Sequence, residues 1–270
     1  MLRGRFLLEP IRSRDNTYVK ELAGLLGSRK NRDRAGLFAL EGLRLCLDAA
    51  GSGLPVKQLF LTPRAAARWP ETEELVRAAE RTLWITEELA GRIADTKSTQ
   101  GIFCICPKLD NQKCAVTIKG SGKYLLLHRL QDPGNLGTIL RAAQAMGVDG
   151  VFADGCPDLY APKVLRASMG SLFRLPVSDR DAAEAVIARL EAAGVPVYAA
   201  ALAPGARPVD EADLSGGCAV LIGNEGDGLP DGLIRACAAA VVIPMAPGAN
   251  SLNAASAAAI LLWEMTRKRP

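Results

Sequence analysis

The sequence predicts an α/β protein built in two parts, and three observations carry that expectation. Strand-like apolar runs alternate with runs of helical spacing along most of the 270 residues. A polar, glycine-containing stretch, PKLDNQKCAVTIKGSGK (residues 107–123), interrupts the alternation and reads as a linker. Near the C-terminus two short apolar runs, residues 219–222 and 241–244, each break into a loop of glycine, asparagine and proline before a helical pattern resumes. Two such loops at the carboxyl ends of two strands usually make a pocket for a small molecule in an α/β protein.

Taken in order, residues 13–29 read as a helix, with Val19, Leu22, Leu25 and Leu26 on one face. The segment SRKNRDRAG (residues 28–36) reads as a basic turn, and a strand at 37–40 and a helix striped by Leu43, Cys46, Leu47 and Ala50 follow. The alternation continues with a strand at 56–61, helical signals at 71–81 and 87–94, and strands at 83–86 and 101–106. The first domain is therefore placed at residues 1–106, the linker at 107–122 and the second domain at 123–270. In the second domain strands are expected at 124–128, 150–153, 173–177 and 195–200, with helices at 135–146, 162–169 and 181–193. Ser251 reads as the N-cap of a last helix, residues 252–267.

Composition excludes several classes. The longest apolar runs, residues 236–246 and 254–263, are too short to span a bilayer core of roughly 30 Å, and no secretory signal opens the chain. Seven scattered cysteines without a C-x-x-C pair suggest neither a disulfide framework nor a zinc site, and a reducing cytoplasm fits best. The formal charge is only +4, but residues 1–44 hold ten Lys or Arg against five acids, and the rest of the chain is slightly acidic. Such a local excess suits an anionic polymer, and Arg29, Lys30, Arg32 and Arg34 are the candidate contacts to it; read blandly, they are solvated charges.

One histidine, His128, ends the run YLLL and reads as structural, which disfavours histidine-based nucleophilic catalysis. No ligand set for a metal is present. In DPGNLGTILR (residues 132–141) a Pro-Gly turn leads to Asn135, placed to cap the next helix, and to Arg141. Alone, these read equally as a cap and a solvated cation. The loop from Gly223 to Gly228 is G-x-x-G-x-G, not the dinucleotide fingerprint G-x-G-x-x-G, so a nicotinamide enzyme fits poorly.

Together, Asn135-x-Gly137-x-Ile139-x-Arg141, Leu221-Ile222-Gly223-Asn224-Glu225-Gly226-x-Gly228-Leu229, and Ile243-Pro244-Met245 with Ser251-Leu252-Asn253 resemble, in order and spacing, the three motifs of SpoU-type (TrmH family) RNA ribose 2'-O-methyltransferases. The N-terminal part resembles the ribosomal-protein-like RNA-binding domain of members acting on large-subunit ribosomal RNA, with Phe38-x-x-Glu41-Gly42 and Thr99-Gln100-Gly101 as weaker marks. The resemblance implies a C-terminal trefoil-knotted SPOUT methyltransferase domain, preceded by a smaller α/β RNA-binding domain. It implies S-adenosylmethionine as cofactor and a homodimer formed through the C-terminal domain. By position it assigns Arg141, Asn135, Glu225, Asn253 and Ser251 to catalysis. Leu202, Gly223, Asn224, Gly226, Ile243, Met245 and Leu252 go to the cofactor. In this reading Glu225 holds the guanidinium fork of Arg141. Relatives often continue Val-Ser-Val after Ser-Leu-Asn, whereas this chain has Ala254-Ala255-Ser256. The implied substrate is ribosomal RNA; transfer RNA, and a non-catalytic RNA-binding or ribosome-assembly role on the same fold, are the alternatives.

Overall fold

The computed structural model describes residues 9–109, 116–248 and 251–267. They form two units: the residues up to Leu109 together with Tyr160–Arg166, and the remainder.

The first unit begins with α1 (Thr17–Gly27), whose Val19, Leu22, Leu25 and Leu26 recur at helical spacing and are buried, and whose cap Asn16 accepts from the Tyr18 amide. The segment SRKNRDRAG, expected as a turn, is instead a short helix, α2 (Arg29–Ala35). Ser28 caps it through the Asn31 amide, and Gly36, at φ 64°, ends it in the left-handed conformation. Its Arg32 is 4% exposed and donates to the carbonyls of Leu25 at 2.6 Å and Leu26 at 3.3 Å. These are carbonyls of the last turn of α1, so Arg32 finishes a helix end and leaves the surface set. Arg29, Lys30 and Arg34 stay exposed.

After α2 come β1 (Leu37–Glu41), α3 (Leu43–Gly51), β2 (Gln58–Leu61), α4 (Pro63–Arg68), α5 (Thr72–Ala78), β3 (Thr82–Trp84), α6 (Glu87–Ile93) and β4 (Ile102–Pro107). The sheet order is β1-β4-β2-β3, with β4 antiparallel to β1 and β2, and β2 parallel to β3. The apolar face of α1 packs on Phe60, Phe103 and Ile105. The motif residues Glu41 and Gln100 pin the loop before β4. The Glu41 carboxylate, 8% exposed, accepts from the Asp95 amide at 2.9 Å and from the Thr96 amide and hydroxyl. Gln100 Oε1 accepts from the Leu43 amide at 2.8 Å, at the start of α3.

The second unit holds β5 (Lys123–His128), α7 (Pro133–Ala145), β6 (Gly150–Asp154), β7 (Val177–Ser178), α9 (Ala183–Ala192), β8 (Val197–Ala200), β9 (Arg207–Pro208), β10 (Cys218–Ile222), α10 (Asp231–Ala236), β11 (Ala239–Val242) and α11 (Ala254–Thr266). Most of α8 (Pro162–Ser168) goes with the first unit. The strand expected at 173–177 is a 3-10 turn, Ser171–Phe173, followed by the two-residue β7. Gly170, at φ 74°, starts that turn, and Pro176 has no amide to give a ladder.

All seven strands pair in parallel in the order β7-β6-β5-β10-β8-β11-β9. The late strands β10 and β11 thus lie between strands laid down earlier, β10 between β5 and β8 and β11 between β8 and β9. Tyr124, Leu126, Phe152, Leu190, Val197 and Leu221 belong to the core. Because the sheet is parallel, the carboxyl ends of β5, β8, β10 and β11 lie along one edge, and the loops that leave them converge there. The terminal helix α11 packs on α7 with Ala258, Leu261, Leu262 and Met265 buried, while Ile260 and Trp263 face out. No helix among the described residues is long and apolar enough to cross a membrane.

Candidate active site

The loop after β10 is a closed turn. Asn224 and Gly228 exchange backbone hydrogen bonds, each 3.1 Å long. Inside it, the Asn224 side chain accepts from the amides of Gly226 at 2.7 Å and Asp227 at 3.0 Å, and donates to the Arg129 carbonyl at 2.7 Å. Asn224 therefore shapes its own loop and ties it to the loop after β5. Gly228, at φ +68°, adopts a conformation that suits glycine.

Glu225 leaves this turn toward the start of α7. Its carboxylate accepts from the Gln131 amide at 2.8 Å, the Asp132 amide at 3.3 Å and Asn135 Nδ2 at 3.0 Å. Asn135 Oδ1 in turn accepts from Asn253 Nδ2 at 3.0 Å, and Asn253 Oδ1 accepts from the amides of Ala255 at 2.9 Å and Ser256 at 3.3 Å. One chain of hydrogen bonds therefore joins Glu225, Asn135 and Asn253 to the first turn of α11.

That chain corrects three expectations. Asn253, not Ser251, is the N-cap of α11, which begins two residues later than expected. Asp132 caps α7, with Pro133 in its first turn, so Asn135 lies inside the helix, its amide free to bridge. Glu225 makes no bond to Arg141: its oxygens are taken by Gln131, Asp132 and Asn135. Arg141 is exposed on α7 and forms no hydrogen bond or ion pair with the described residues.

Beside this chain lies a cavity of about 500 Å³. Leu202, Gly223, Asn224, Gly226, Ile243, Met245 and Leu252, the positions assigned to a cofactor, all line it, as do Ser251 and Glu225. Asn135, Arg141 and Asn253 are not among its lining residues. The cavity also takes in Asp227, Asp231, Ile234, Ala257 and Leu261, which the sequence reading did not single out. Ala257 and Leu261 are four residues apart on α11, one turn of one face, so helical spacing from either could have found the other.

Burial favours the neutral form of Glu225, but the hydrogen bonds from Asn135, Gln131 and Asp132 outweigh it and hold the carboxyl below its ordinary value. A depressed carboxyl contributes stability above its unfolded value and loses it as pH falls through the folded one. The loop is therefore expected to loosen as the solution is acidified below the ordinary glutamate range, and Glu225→Gln to remove that step. Amide exchange at Gln131 and Asp132 across that window checks it; an identical acid profile in the variant would contradict it. Neither His128 nor Cys156 lines the cavity. His128 is 5% exposed, with Nδ1 2.7 Å from Asp154 Oδ2, and burial pushes the Cys156 thiol up to about 12, too high for a nucleophile.

The fold and site define a parallel α/β domain that binds a small molecule at its strand ends. The SpoU rRNA Methylase family matches residues 122–263, and the MRM3-like substrate binding domain matches residues 16–104. The chain is 33% identical over 259 residues to the 23S rRNA (guanosine(2553)-2'-O)-methyltransferase RlmP of Bacillus subtilis, covering 96% of this chain and 99% of that protein. It is 31% identical to the 23S rRNA (uridine(2479)-2'-O)-methyltransferase of Streptomyces viridochromogenes, covering 94% and 91%. The crystal structure of an AdoMet-bound rRNA methyltransferase from Sinorhizobium meliloti superposes with a TM-score of 0.82 at 32% identity, covering 95% of this chain and 97% of that one. The chain belongs to the SpoU rRNA Methylase family.

Proposed function

We propose that this protein transfers a methyl group from S-adenosylmethionine to a ribose 2'-hydroxyl in RNA, with ribosomal RNA as the substrate. The observation that carries this reading is the convergence of the Gly223–Gly228 loop, the Ser251–Asn253 segment and Asn135 beside one cavity. The cavity fits such a cofactor: apolar Ile234, Val241 and Leu261 suit an adenine ring, and the carboxylates at its rim suit a cation. Gly223, Ile243 and Leu252 offer backbone contacts, and Leu202 and Met245 form walls.

Bound S-adenosylmethionine supplies an activated methyl group on a sulfonium. The hydroxyl oxygen forms the new bond to carbon as the carbon–sulfur bond breaks toward sulfur, and the hydroxyl proton passes to solvent. Positioning provides much of the rate. Arg141 clamps a phosphate beside the target ribose and offsets developing negative charge. Glu225, Asn135 and Asn253 hold the loops in register, and Ser251 borders the reacting centre.

Residues 1–106 serve as the RNA-binding domain, 107–122 as the linker and 123–270 as the methyltransferase domain; residues 110–115 of that linker lie outside the described residues. The insertion of β10 and β11 between earlier strands supports a trefoil knot, a threading rare among proteins. Outward-facing Ile260 and Trp263, 38% and 55% exposed, support a homodimer through α11. Sedimentation at micromolar concentration should give twice the chain mass; a monomer would refute this.

Mapping ribose methylation in ribosomal RNA from cells with and without the protein tests the activity, together with labelled-methyl transfer by the purified chain. Donor binding without transfer to any RNA would leave a non-catalytic factor instead. Neutralising Arg29, Lys30 and Arg34 together is expected to weaken RNA binding and to lower the slope of log affinity against log salt by about 2, at roughly 0.7 per phosphate contact. Donor affinity should not move. An unchanged slope would place the RNA elsewhere.

A further inference from the structure

We propose that the cavity selects the cationic methyl donor over its neutral thioether product through the carboxylates of Asp227 and Asp231, beside that of Glu225. The proposal rests on the cofactor reading above and concerns discrimination between donor and product, which that reading leaves open. Three of the residues lining the cavity are acidic, and no lysine, arginine or histidine is among them. The Asp227 and Asp231 side chains make no hydrogen bond or ion pair with the described residues, and both are exposed at the rim. Even Arg235, one turn beyond Asp231 on α10, forms no ion pair with it. Their charge is thus not neutralised locally. Glu225 adds a third charge, since its hydrogen bonds hold it in the ionised form.

The methyl donor carries a sulfonium and an ammonium against one carboxylate, so its net charge is +1. When the methyl group leaves, the bonding pair stays on sulfur, and the thioether is neutral overall. An acidic rim therefore attracts the donor more strongly than the thioether, which favours exchange of product for fresh donor after turnover. Such attraction is long-ranged at low salt, with a Debye length of about 10 Å at 0.1 M, and is screened within about 3 Å at 1 M. At the few-kT potential that three exposed carboxylates can sustain, the preference should be about tenfold at low salt.

The test is calorimetric titration of the full chain with S-adenosylmethionine and, separately, S-adenosylhomocysteine, at low salt and at 1 M salt. The expected result is a donor preference of about tenfold that shrinks to about threefold at high salt, with thioether affinity nearly constant. Asp227→Asn combined with Asp231→Asn should reduce the low-salt preference to about threefold while changing thioether affinity less than about twofold. An analogue with a protonated amine in place of the sulfonium should follow the donor. Equal wild-type affinities, or a preference indifferent to salt, overturn the proposal whether or not the variant folds. If neither ligand binds, the cofactor reading itself falls and takes the proposal with it.

Discussion

Gly223→Ala is expected to weaken binding of the methyl donor by about 10- to 100-fold, the equivalent of the 1–3 kcal/mol that overpacking costs. A Cβ on Gly223 would lie 2.5 Å from the Gly228 carbonyl oxygen and 2.8 Å from Leu229 Cγ. Neither can yield. The Gly228 carbonyl accepts the Asn224 amide that closes the turn, and Leu229 is 9% exposed in the core of the unit. The whole loop must shift, and with it Asn224 and Glu225, which fix the cavity wall and the start of α7. Gly226→Ala, at a second glycine that lines the cavity, is the comparison that separates a disrupted turn from a blocked ligand path. There a Cβ would meet only Asn224 Oδ1, at 3.5 Å, an ordinary contact, so affinity should stay within about threefold, the range of an unstrained surface change. Calorimetric titration of both variants, with thermal melts to confirm folding, decides the matter; equal losses would mean that glycine is needed there for ligand approach and not for the turn.

That pair of glycines shows what a sequence can and cannot disclose. Three glycines in one loop mark a site, but only coordinates separate Gly223, wedged against its own turn, from Gly228, held at positive φ, and from Gly226, which has room. The buried strands were legible because β5 and β10 read as KYLLLH and CAVLI, apolar on both faces as a central parallel strand must be. Their adjacency was not: β5 and β10 are separated by nearly a hundred residues, and no local pattern records which strand is inserted between which.

Helix ends failed for a different reason. Ser251-Leu252-Asn253 and Asp132-Pro133-Gly134-Asn135 each offer two residues able to cap, and the choice between them is tertiary. Asn253 is selected because its amide also reaches Asn135, and Asn135 is released from capping because Glu225 occupies its other side. Likewise α2 carries charge all round and no apolar stripe, so periodicity missed it; what anchors it is Arg32, docked on the end of α1.

Arg141→Ala is expected to lower turnover by about 100- to 1000-fold, the range seen when one donor to developing negative charge is removed, while donor affinity stays within about twofold. Arg141 sits six residues beyond Asn135, about 120° round the helix at 100° per residue, so a carboxylate engaged with one cannot hold the other. It is left exposed and unpaired among the described residues, so truncating it empties no core and leaves no polar partner stranded. A loss of rate in this variant therefore reports chemistry and not folding. Arg141→Lys separates the roles available to a cation at this place. A guanidinium stays protonated at any ordinary pH and grips a phosphate with two parallel donors, whereas an ammonium is a point charge that can lose its proton. Clamping predicts that lysine recovers only part of the rate, at least about tenfold below the native enzyme, with a pH profile of unchanged shape. Near-native turnover that rises with pH toward the lysine range would instead make this residue the base, and the phosphate clamp would have to be abandoned.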